Sequence, residues 1–227
     1  MVSHQHRCIF IHIPKCAGTS IESVLGHLDG YAGREAQDHR SLRMLEEPFP
    51  FSRAVNGRDN LRHAFARLHH RRLAPPSANP ANDLRVTAGQ FAAYLKFTVV
   101  RNPWARAHSW WANVMQDRQH WPSYGLTEPV SLGRFLDRQA GRGMLRPQLD
   151  WIRGFDGRIG VDFIGRFETL DRDFAEIAHR LAIATPLPHL MRMDKPDYRD
   201  AYDNRTRGLV ARVYAEEIAL FGYGFAN

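Results

Sequence analysis

Two segments of the chain place a cation in the turn between an apolar strand and a helix. They are residues 11–20, with Lys15 in the turn, and residues 97–109, with Arg101 in the turn. The N-terminus of a helix has unpaired N–H groups and a partial positive charge, so anions bind there. Two such turns indicate a protein that holds a phosphate-bearing ligand at two separated points. This chemistry is typical of a nucleotide-dependent transferase.

The first turn combines several groups that suit a phosphate. Gly18 would allow close backbone approach, Thr19 and Ser20 would donate hydroxyl hydrogens, and Lys15 would supply a mobile charge. The turn is not a Walker A loop, because the lysine precedes the glycine and no second glycine is correctly placed. The alternative is an ordinary strand–turn–helix corner with a surface lysine at position 15.

The second turn lies where a strand over 95–100 leaves the sheet, and ligands of parallel sheets bind at that end of the strands. Asn102 is expected to cap the next helix, with Pro103 at its first position. Ser109 follows Arg101 by eight residues, about two helical turns. An arginine and a hydroxyl suit a terminal phosphate. The alternative is an ion pair for Arg101 and a solvent-facing Ser109.

Composition limits the class of protein. The 227 residues fit a single domain over 1–227, and with 44% hydrophobic and 11% aromatic residues the chain can bury a core. The formal charge of +7 favours anionic ligands. No apolar run approaches the ~20 residues of a membrane span. Cys8 and Cys16 are too far apart along a strand and its turn for a disulfide, which favours a reducing, cytoplasmic setting.

The hydrophobic pattern alternates between strands and helices. Strands are expected over 7–13, 95–100 and 161–167, and segments 29–59 and 74–83 are expected to be irregular. One helix is expected after a cap at Thr19 or Ser20, and another after the cap at Asn102. A helix over 60–73 is expected to have Asn60 as its cap and an inward apolar stripe of Leu61, Ala64, Phe65 and Leu68. Further helices are expected over 131–140, 171–183 and 205–221. This alternation predicts an α/β fold with a mainly parallel sheet.

Together the two turns resemble those of the sulfotransferases that use 3′-phosphoadenosine 5′-phosphosulfate (PAPS). Further similarity to the family of bacterial and Golgi carbohydrate sulfotransferases extends over 146–151, 161–170 and 221–225. The least similar parts are 29–59 and 74–86. With this resemblance, the fold prediction is a P-loop-like three-layer α/β fold, in which helices flank a central, mainly parallel sheet. The resemblance also implies a soluble, bacterial-type enzyme whose acceptor is a hydroxyl-bearing glycan or glycosylated small molecule.

The resemblance assigns roles to individual residues. Lys15 would contact the 5′-phosphosulfate and stabilise the departing phosphate, and Arg101 and Ser109 would bind the 3′-phosphate, with Arg106 a weaker candidate. The loop that would hold the 5′-phosphosulfate consists of Pro14, Lys15, Cys16, Ala17, Gly18, Thr19 and Ser20. His63, followed by a small residue, is the expected base for the acceptor hydroxyl. Glu168 is a second possible base, but an ion pair with Arg166 or another arginine is the favoured role for it. His63 could instead belong to a solvated basic face.

Two other functions compete with this interpretation. A small-molecule kinase with an atypical phosphate loop would need an acid at the end of a strand, whereas Asp162 begins one. A non-catalytic, basic polyanion-binding module would show salt-sensitive binding without nucleotide preference. No nucleic-acid-binding motif is present. A metal site is not expected, because the adjacent His69 and His70 point in different directions on a helix. The oligomeric state is left open.

Overall fold

The structure, a computed structural model, describes residues 1–33, 36–188 and 197–226. Its contacts divide the chain into two compact units. The first contains Met1–Ile13, Ala17–Val100 and Leu149–Met191, and the second contains Pro14–Cys16, Arg101–Gln148 and Arg192–Asn227. Residues 14–16 and the segment that begins at Arg101 thus belong to the same unit. The single domain expected over 1–227 stays a prediction.

A four-stranded sheet forms the centre of the first unit, with its strands in the order β1-β2-β3-β4. The strands are β1 (Val2–Ser3), β2 (Cys8–Ile11), β3 (Leu95–Val100) and β4 (Phe163–Arg166). β1 is antiparallel to β2, whereas the β2–β3 and β3–β4 pairs are parallel. The α/β fold with a mainly parallel sheet is confirmed, and β1 was not foreseen.

The inner strands of the sheet are almost continuously apolar, as expected for parallel strands that are covered on both faces. Every residue of β2 is buried, and Phe10 stacks on Phe97 of the neighbouring strand with ring centroids 5.0 Å apart. Thr98 is buried as well, and its polar hydroxyl is satisfied there because it donates a hydrogen bond to the carbonyl of Ile11 at 2.7 Å. The strands expected over 7–13 and 161–167 form with shorter bounds than the pattern predicted.

Seven α-helices among the described residues accompany the sheet in the first unit. They are α1 (Gly18–Val24), α2 (Leu42–Leu45), α3 (Phe51–Ala54), α4 (Arg58–Leu68), α5 (Ala88–Ala93), α8 (Leu149–Ile152) and α9 (Leu170–Arg180). A π-helical segment, His69–Leu73, continues α4. The expected Asn60 cap is wrong, because Gly57 occupies the cap position and α4 begins at Arg58.

The inward apolar stripe predicted on α4 is also wrong. Phe65 and Leu68 face solvent, whereas His63 and Arg67 are buried. The polar side chains can face inward because the first unit supplies partners for them. Arg67 donates hydrogen bonds to the carbonyl of Glu46 and to the Glu47 carboxylate.

The second unit is helical, with α6 (Pro103–Gln116), α7 (Leu132–Gln139), α10 (Asn204–Val213) and α11 (Ala215–Phe221). Its core includes Trp104 and Val114 from α6, Phe135 from α7 and Val210 from α10. The expected cap is confirmed, since Asn102 Oδ1 accepts hydrogen bonds from the N–H groups of the first turn of α6. The long helix expected over 205–221 is two helices that meet at Tyr214.

Candidate active site

The backbone of the first turn is strained at two positions. Lys15 has φ 67° and Ala17 has φ 63°, both in the left-handed region that residues with a side chain rarely adopt. Each such residue costs of order 1 kcal/mol or more, and strain of this kind is concentrated at ligand-binding and catalytic sites. Arg7 and Ala182 also have positive φ, but Lys15 and Ala17 lie within three positions of each other, which favours a ligand-binding role for this turn.

The ammonium group of Lys15 is held by a side chain of α6. Lys15 Nζ donates a hydrogen bond to Asn113 Oδ1 at 3.1 Å. The carbonyl of the same lysine accepts a hydrogen bond from Arg101 Nη1 at 3.1 Å. The structure thus brings together the cations of both predicted turns. Asn113 was not foreseen, although it lies one helical turn after Ser109 and so on the same side of α6.

Gln148 joins the two turns a second time through its side-chain amide. Its Oε1 accepts hydrogen bonds from the N–H of Arg101 at 2.8 Å and from the thiol of Cys16 at 3.5 Å. Its Nε2 donates to the carbonyl of Arg101 and to Glu217 Oε1, each at 2.9 Å. This fully buried amide therefore fixes the backbone of the second turn at Arg101 and contacts the first turn through the side chain of Cys16. The sequence signal for it was the 146–151 segment, which had no assigned role.

Arg106 supports the first turn from within the second unit. It is buried, and its guanidinium donates hydrogen bonds to the carbonyls of Pro14 at 3.2 Å, Met144 at 2.6 Å and Arg146 at 3.1 Å. These bonds indicate a structural role for Arg106, which the resemblance gave only as a weaker candidate for binding the 3′-phosphate. The thiol of Cys16 is likewise buried, so only the backbone of Pro14 and Cys16 is suited to contact a ligand.

Ser109 lies two turns into α6 and is largely buried. No hydrogen bond to its hydroxyl occurs among the residues that the structure describes. Its position after Arg101 is the one expected from the sequence. Whether these two residues bind a phosphate group together stays a prediction.

The cap of α1 lies two residues before Thr19 and three before Ser20, the two expected caps. Ala17 occupies the cap position, and its carbonyl accepts hydrogen bonds from the N–H groups of Ser20 and Ile21. This leaves the N–H groups of Gly18 and Thr19 without a partner inside the helix. The Thr19 hydroxyl accepts a hydrogen bond from Gln37 Nε2 at 2.8 Å. Thr19 and Ser20 are therefore first-turn residues, not caps.

Gly18 is needed for packing in the first unit. A Cβ atom at this position would lie 1.9 Å from Cδ2 of the His12 ring. His12 is buried, and its Nδ1 lies 3.1 Å from Oε1 of the buried Glu22. Burial raises the pKa of Glu22, but the charge of His12, the hydrogen bond from His12 and the charges of the N-terminus and His27 together hold the pKa below its usual value. Glycine at position 18 leaves space for the His12–Glu22 pair. The sequence motif had indicated only close backbone approach to a ligand as the reason for this glycine.

His63 is buried in the first unit, so it does not belong to a solvated basic face. Its Nδ1 lies 3.4 Å from the hydroxyl of Ser41, and its Nε2 lies 3.9 Å from Oδ1 of the half-exposed Asp59. Partial burial raises the pKa of Asp59, but the charges of Arg43, His63 and Arg62 and the hydrogen bond from Arg43 together keep the pKa below its usual value. An ionised carboxylate and a hydroxyl beside an imidazole are suited to proton transfer. Glu168, the second candidate base, lies in the short 3₁₀ turn Phe167–Thr169.

A cavity of about 260 Å³ lies on the inward side of α4 and the π-helical segment. The titratable side chains that line it are Arg40, Arg67, His70, Arg71, Asp83 and Arg85. Arg67 and Arg71 share one carboxylate oxygen, Glu47 Oε1. Burial, together with the nearby charge of Arg71, lowers the pKa of Arg67 to about 10. The cavity is therefore cationic and suits polar or anionic groups.

Two absences hold for residues 1–33, 36–188 and 197–226. No group of three or more His, Cys, Asp or Glu side chains there is arranged to hold a metal ion. Within the same residues, none of the helices has the length and apolarity required to span a membrane. Cys8 and Cys16 are both free and buried, and burial raises the pKa of the Cys8 thiol to about 12.

The comparisons with known proteins identify a family. A model described as "Sulfotransferase family" matches residues 1–224, nearly the whole chain. Neither the curated proteins nor the solved structures contain a match to the chain. The family match spans residues of both compact units, including the two turns and His63.

Proposed function

Because the chain belongs to the sulfotransferase family and is thus a transferase, we propose that it moves the sulfuryl group of PAPS to a hydroxyl of a carbohydrate. The observation that carries the proposal is the joining of the two turns. Lys15 bonds to Asn113 through its ammonium group and to Arg101 through its carbonyl. PAPS carries anionic groups at its 5′ and 3′ ends, so it requires two cationic sites that are fixed relative to each other.

The donor set fits PAPS in charge and in chemistry. Lys15, the hydroxyls of Thr19 and Ser20 and the N–H groups of the 14–20 loop would hold the 5′-phosphosulfate. Arg101 and Ser109 would hold the 3′-phosphate, and the partner-free hydroxyl of Ser109 among the described residues supports this role. When bound, PAPS supplies the sulfuryl group and departs as 3′,5′-adenosine bisphosphate.

Lys15 would act on the charge that develops as the sulfur–oxygen bond to the 5′-phosphate breaks. Its ammonium group stabilises the negative charge on the departing phosphate oxygen, and a fixed cation does so without reorganising in the transition state. Asn113 keeps the ammonium group in place through the 3.1 Å hydrogen bond. The rest of the catalysis is the positioning of the two reactants.

His63 would accept the proton of the acceptor hydroxyl as its oxygen forms the new bond to sulfur. A neutral imidazole performs this step near neutral pH. Ser41 and Asp59 flank the ring and orient it, and the Asp59 carboxylate would stabilise the imidazolium that forms. The sulfated product and the protonated base balance the reaction.

The cationic cavity beside α4 is our candidate for part of the acceptor site. It is lined by residues from the 29–59 and 74–86 segments, where the resemblance is weakest and acceptor specificity is expected to reside. Arg67, which lines the cavity, lies one turn after His63 on the buried side of the same helix, so α4 carries both the proposed base and part of the cavity wall. The cytoplasmic location stays a prediction, which rests on the two free cysteines.

The proposal is tested by incubating the purified protein with PAPS and a panel of neutral, amino and acidic sugars. Release of 3′,5′-adenosine bisphosphate is measured with and without each sugar. We expect that release depends on an acceptor and that Lys15→Ala slows it strongly. Phosphorylation of a sugar with ATP, without consumption of PAPS, would instead support a kinase.

A further inference from the structure

Helix α4 is amphipathic in the reverse of the usual sense. Phe65 is 67% exposed and Leu68 is 51% exposed, whereas His63 and Arg67 are each 4% exposed. Residues two apart lie about 200° apart around a helix, so Phe65 and His63 lie on opposite sides. Phe65 and Leu68 thus face solvent while His63 and Arg67 are enclosed. A soluble helix normally buries its apolar side, so this face requires an explanation.

The exposed apolar surface extends beyond α4. Leu73, in the π-helical segment that follows, is 70% exposed. Phe51 and Val55, in and directly after the neighbouring α3, are 72% and 50% exposed. Helix α3 packs against α4 within the first unit. Five large apolar side chains are therefore exposed on α3, α4 and the residues that directly follow them.

Arginines are interspersed among these apolar residues. The outer face of α4 is defined here as Arg58, Arg62, Phe65, Leu68, His69, Arg72 and Leu73, none of which is buried. Asp59 is the only acidic residue between positions 58 and 73. Its carboxylate is paired with Arg43 and Arg62. The face is therefore both apolar and strongly cationic.

We propose that the outer face of α4 binds the surface of an anionic lipid bilayer. A helix whose exposed face combines Phe and Leu with arginines lies in the plane of a membrane interface, with apolar groups between the acyl chains and cations among the headgroups. From Arg58 to Leu73 the helical rod is about 24 Å long, at 1.5 Å per residue. It can therefore lie flat on the bilayer along its whole length.

A second copy of the chain fits this face less well. A two-fold interface would bring the same surface of two copies together. Arg58, Arg62 and Arg72 of one copy would then face the same arginines of the other, and juxtaposed like charges oppose association. Anionic headgroups instead complement these charges. The bilayer is thus the partner that satisfies both the apolar and the cationic groups.

The test is co-sedimentation of the full chain with vesicles of phosphatidylcholine mixed with phosphatidylglycerol, and with vesicles of phosphatidylcholine alone. We expect binding to the anionic vesicles only. Leu68→Ser and, separately, the double variant Arg58→Gln/Arg72→Gln are expected to weaken binding at least about tenfold, since each cation and each apolar group contributes to the interfacial affinity. Leu73→Ser serves as a second apolar variant.

Matched controls come from other exposed surfaces. Leu220 on α11 is 55% exposed, so Leu220→Ser removes a comparable leucine. Arg134→Gln/Arg138→Gln on α7 removes the same charge. Neither control is expected to change vesicle binding. The proposal is overturned if anionic vesicles are not bound, or if the controls weaken binding as much as the α4 variants. A dimer that dissociates in Leu68→Ser, without vesicle binding, would assign the face to self-association.

Discussion

Lys15 Nζ donates a hydrogen bond to Asn113 Oδ1 at 3.1 Å, which ties the strained first turn to the third turn of α6. Arg101 precedes the same helix and bonds to the Lys15 carbonyl. The two predicted cations are thus positioned by one helix and one backbone turn. Binding at one turn therefore depends on the geometry of the other.

Lys15→Ala is expected to lower kcat about 10²- to 10³-fold, because it removes a fixed charge that stabilises the departing phosphate. The fold should be retained, since Lys15 is only half-buried. The measurement is the rate of PAPS consumption at saturating PAPS and acceptor. Arg134→Ala, which removes an exposed cation from α7, is the control. Wild-type turnover in Lys15→Ala would remove this residue from the mechanism.

His63→Ala is expected to bind 3′,5′-adenosine bisphosphate with unchanged affinity and to lose transfer by about 10²- to 10⁴-fold, the usual contribution of a general base. His179→Ala on α9 replaces an exposed histidine and is the control. Calorimetry gives the affinity, and the transfer rate is followed against pH. Normal transfer by His63→Ala would place the base elsewhere.

Gly18→Ala is expected to destabilise the protein by about 1 to 3 kcal/mol, the usual cost of overpacking, because its Cβ would overlap the His12 ring. The penalty should shrink in a His12→Ala background, where the ring is absent. Gly89→Ala on α5 is the control. A Cβ there meets nothing within 4 Å, so this change is neutral or stabilises the helix by up to about 1 kcal/mol. Urea unfolding gives the free energy of unfolding of Gly18→Ala, His12→Ala, the double variant and Gly89→Ala. Equal changes for Gly18→Ala and Gly89→Ala would contradict the overlap with the His12 ring.

Acid is expected to destabilise the first unit through His39. Burial and the neighbouring His12 lower the pKa of His39 to about 3, against roughly 6.5 in an unfolded chain. Between these two pKa values the unfolded state binds more protons than the folded state. The free energy of unfolding is therefore highest above about pH 6.5 and decreases as the pH falls toward about 3. The limiting slope is about 1.4 kcal/mol per pH unit. Urea unfolding against pH should show this slope, and His39→Asn should reduce it.

Local signals predicted the elements that carry the site. The apolar run of β3, the Asn102 cap and Pro103 specify the second turn within a few residues, so α6 begins where expected. Lys15 and Ser109 follow from the same strand–turn–helix pattern. These features depend on neighbours in sequence, which a single chain reveals.

Features that depend on distant residues were missed. Arg67 faces inward because Glu47 and the carbonyl of Glu46 receive it, and these partners lie about 20 positions away. Hydrophobic periodicity cannot register such pairing, so it predicted the wrong side of α4 as buried. The bond from Gln148 to Glu217 spans 69 positions and was hidden for the same reason.

Arg101→Ala is expected to weaken binding of 3′,5′-adenosine bisphosphate about 10- to 100-fold, the worth of a charge-assisted hydrogen bond. It should leave the weaker binding of AMP unchanged, because AMP lacks the 3′-phosphate. Calorimetry with both nucleotides checks this. Equal losses for the two would mean that Arg101 acts only through the Lys15 carbonyl.

The most direct test of PAPS-dependent sulfuryl transfer is calorimetric binding of 3′,5′-adenosine bisphosphate to the wild-type protein, beside ATP and AMP. We predict that the bisphosphate binds more tightly than AMP and ATP, because only it presents phosphates to both the Lys15 and the Arg101 turns. Preference for ATP would contradict this prediction and favour a kinase. Binding of none of the three would favour a polyanion-binding module.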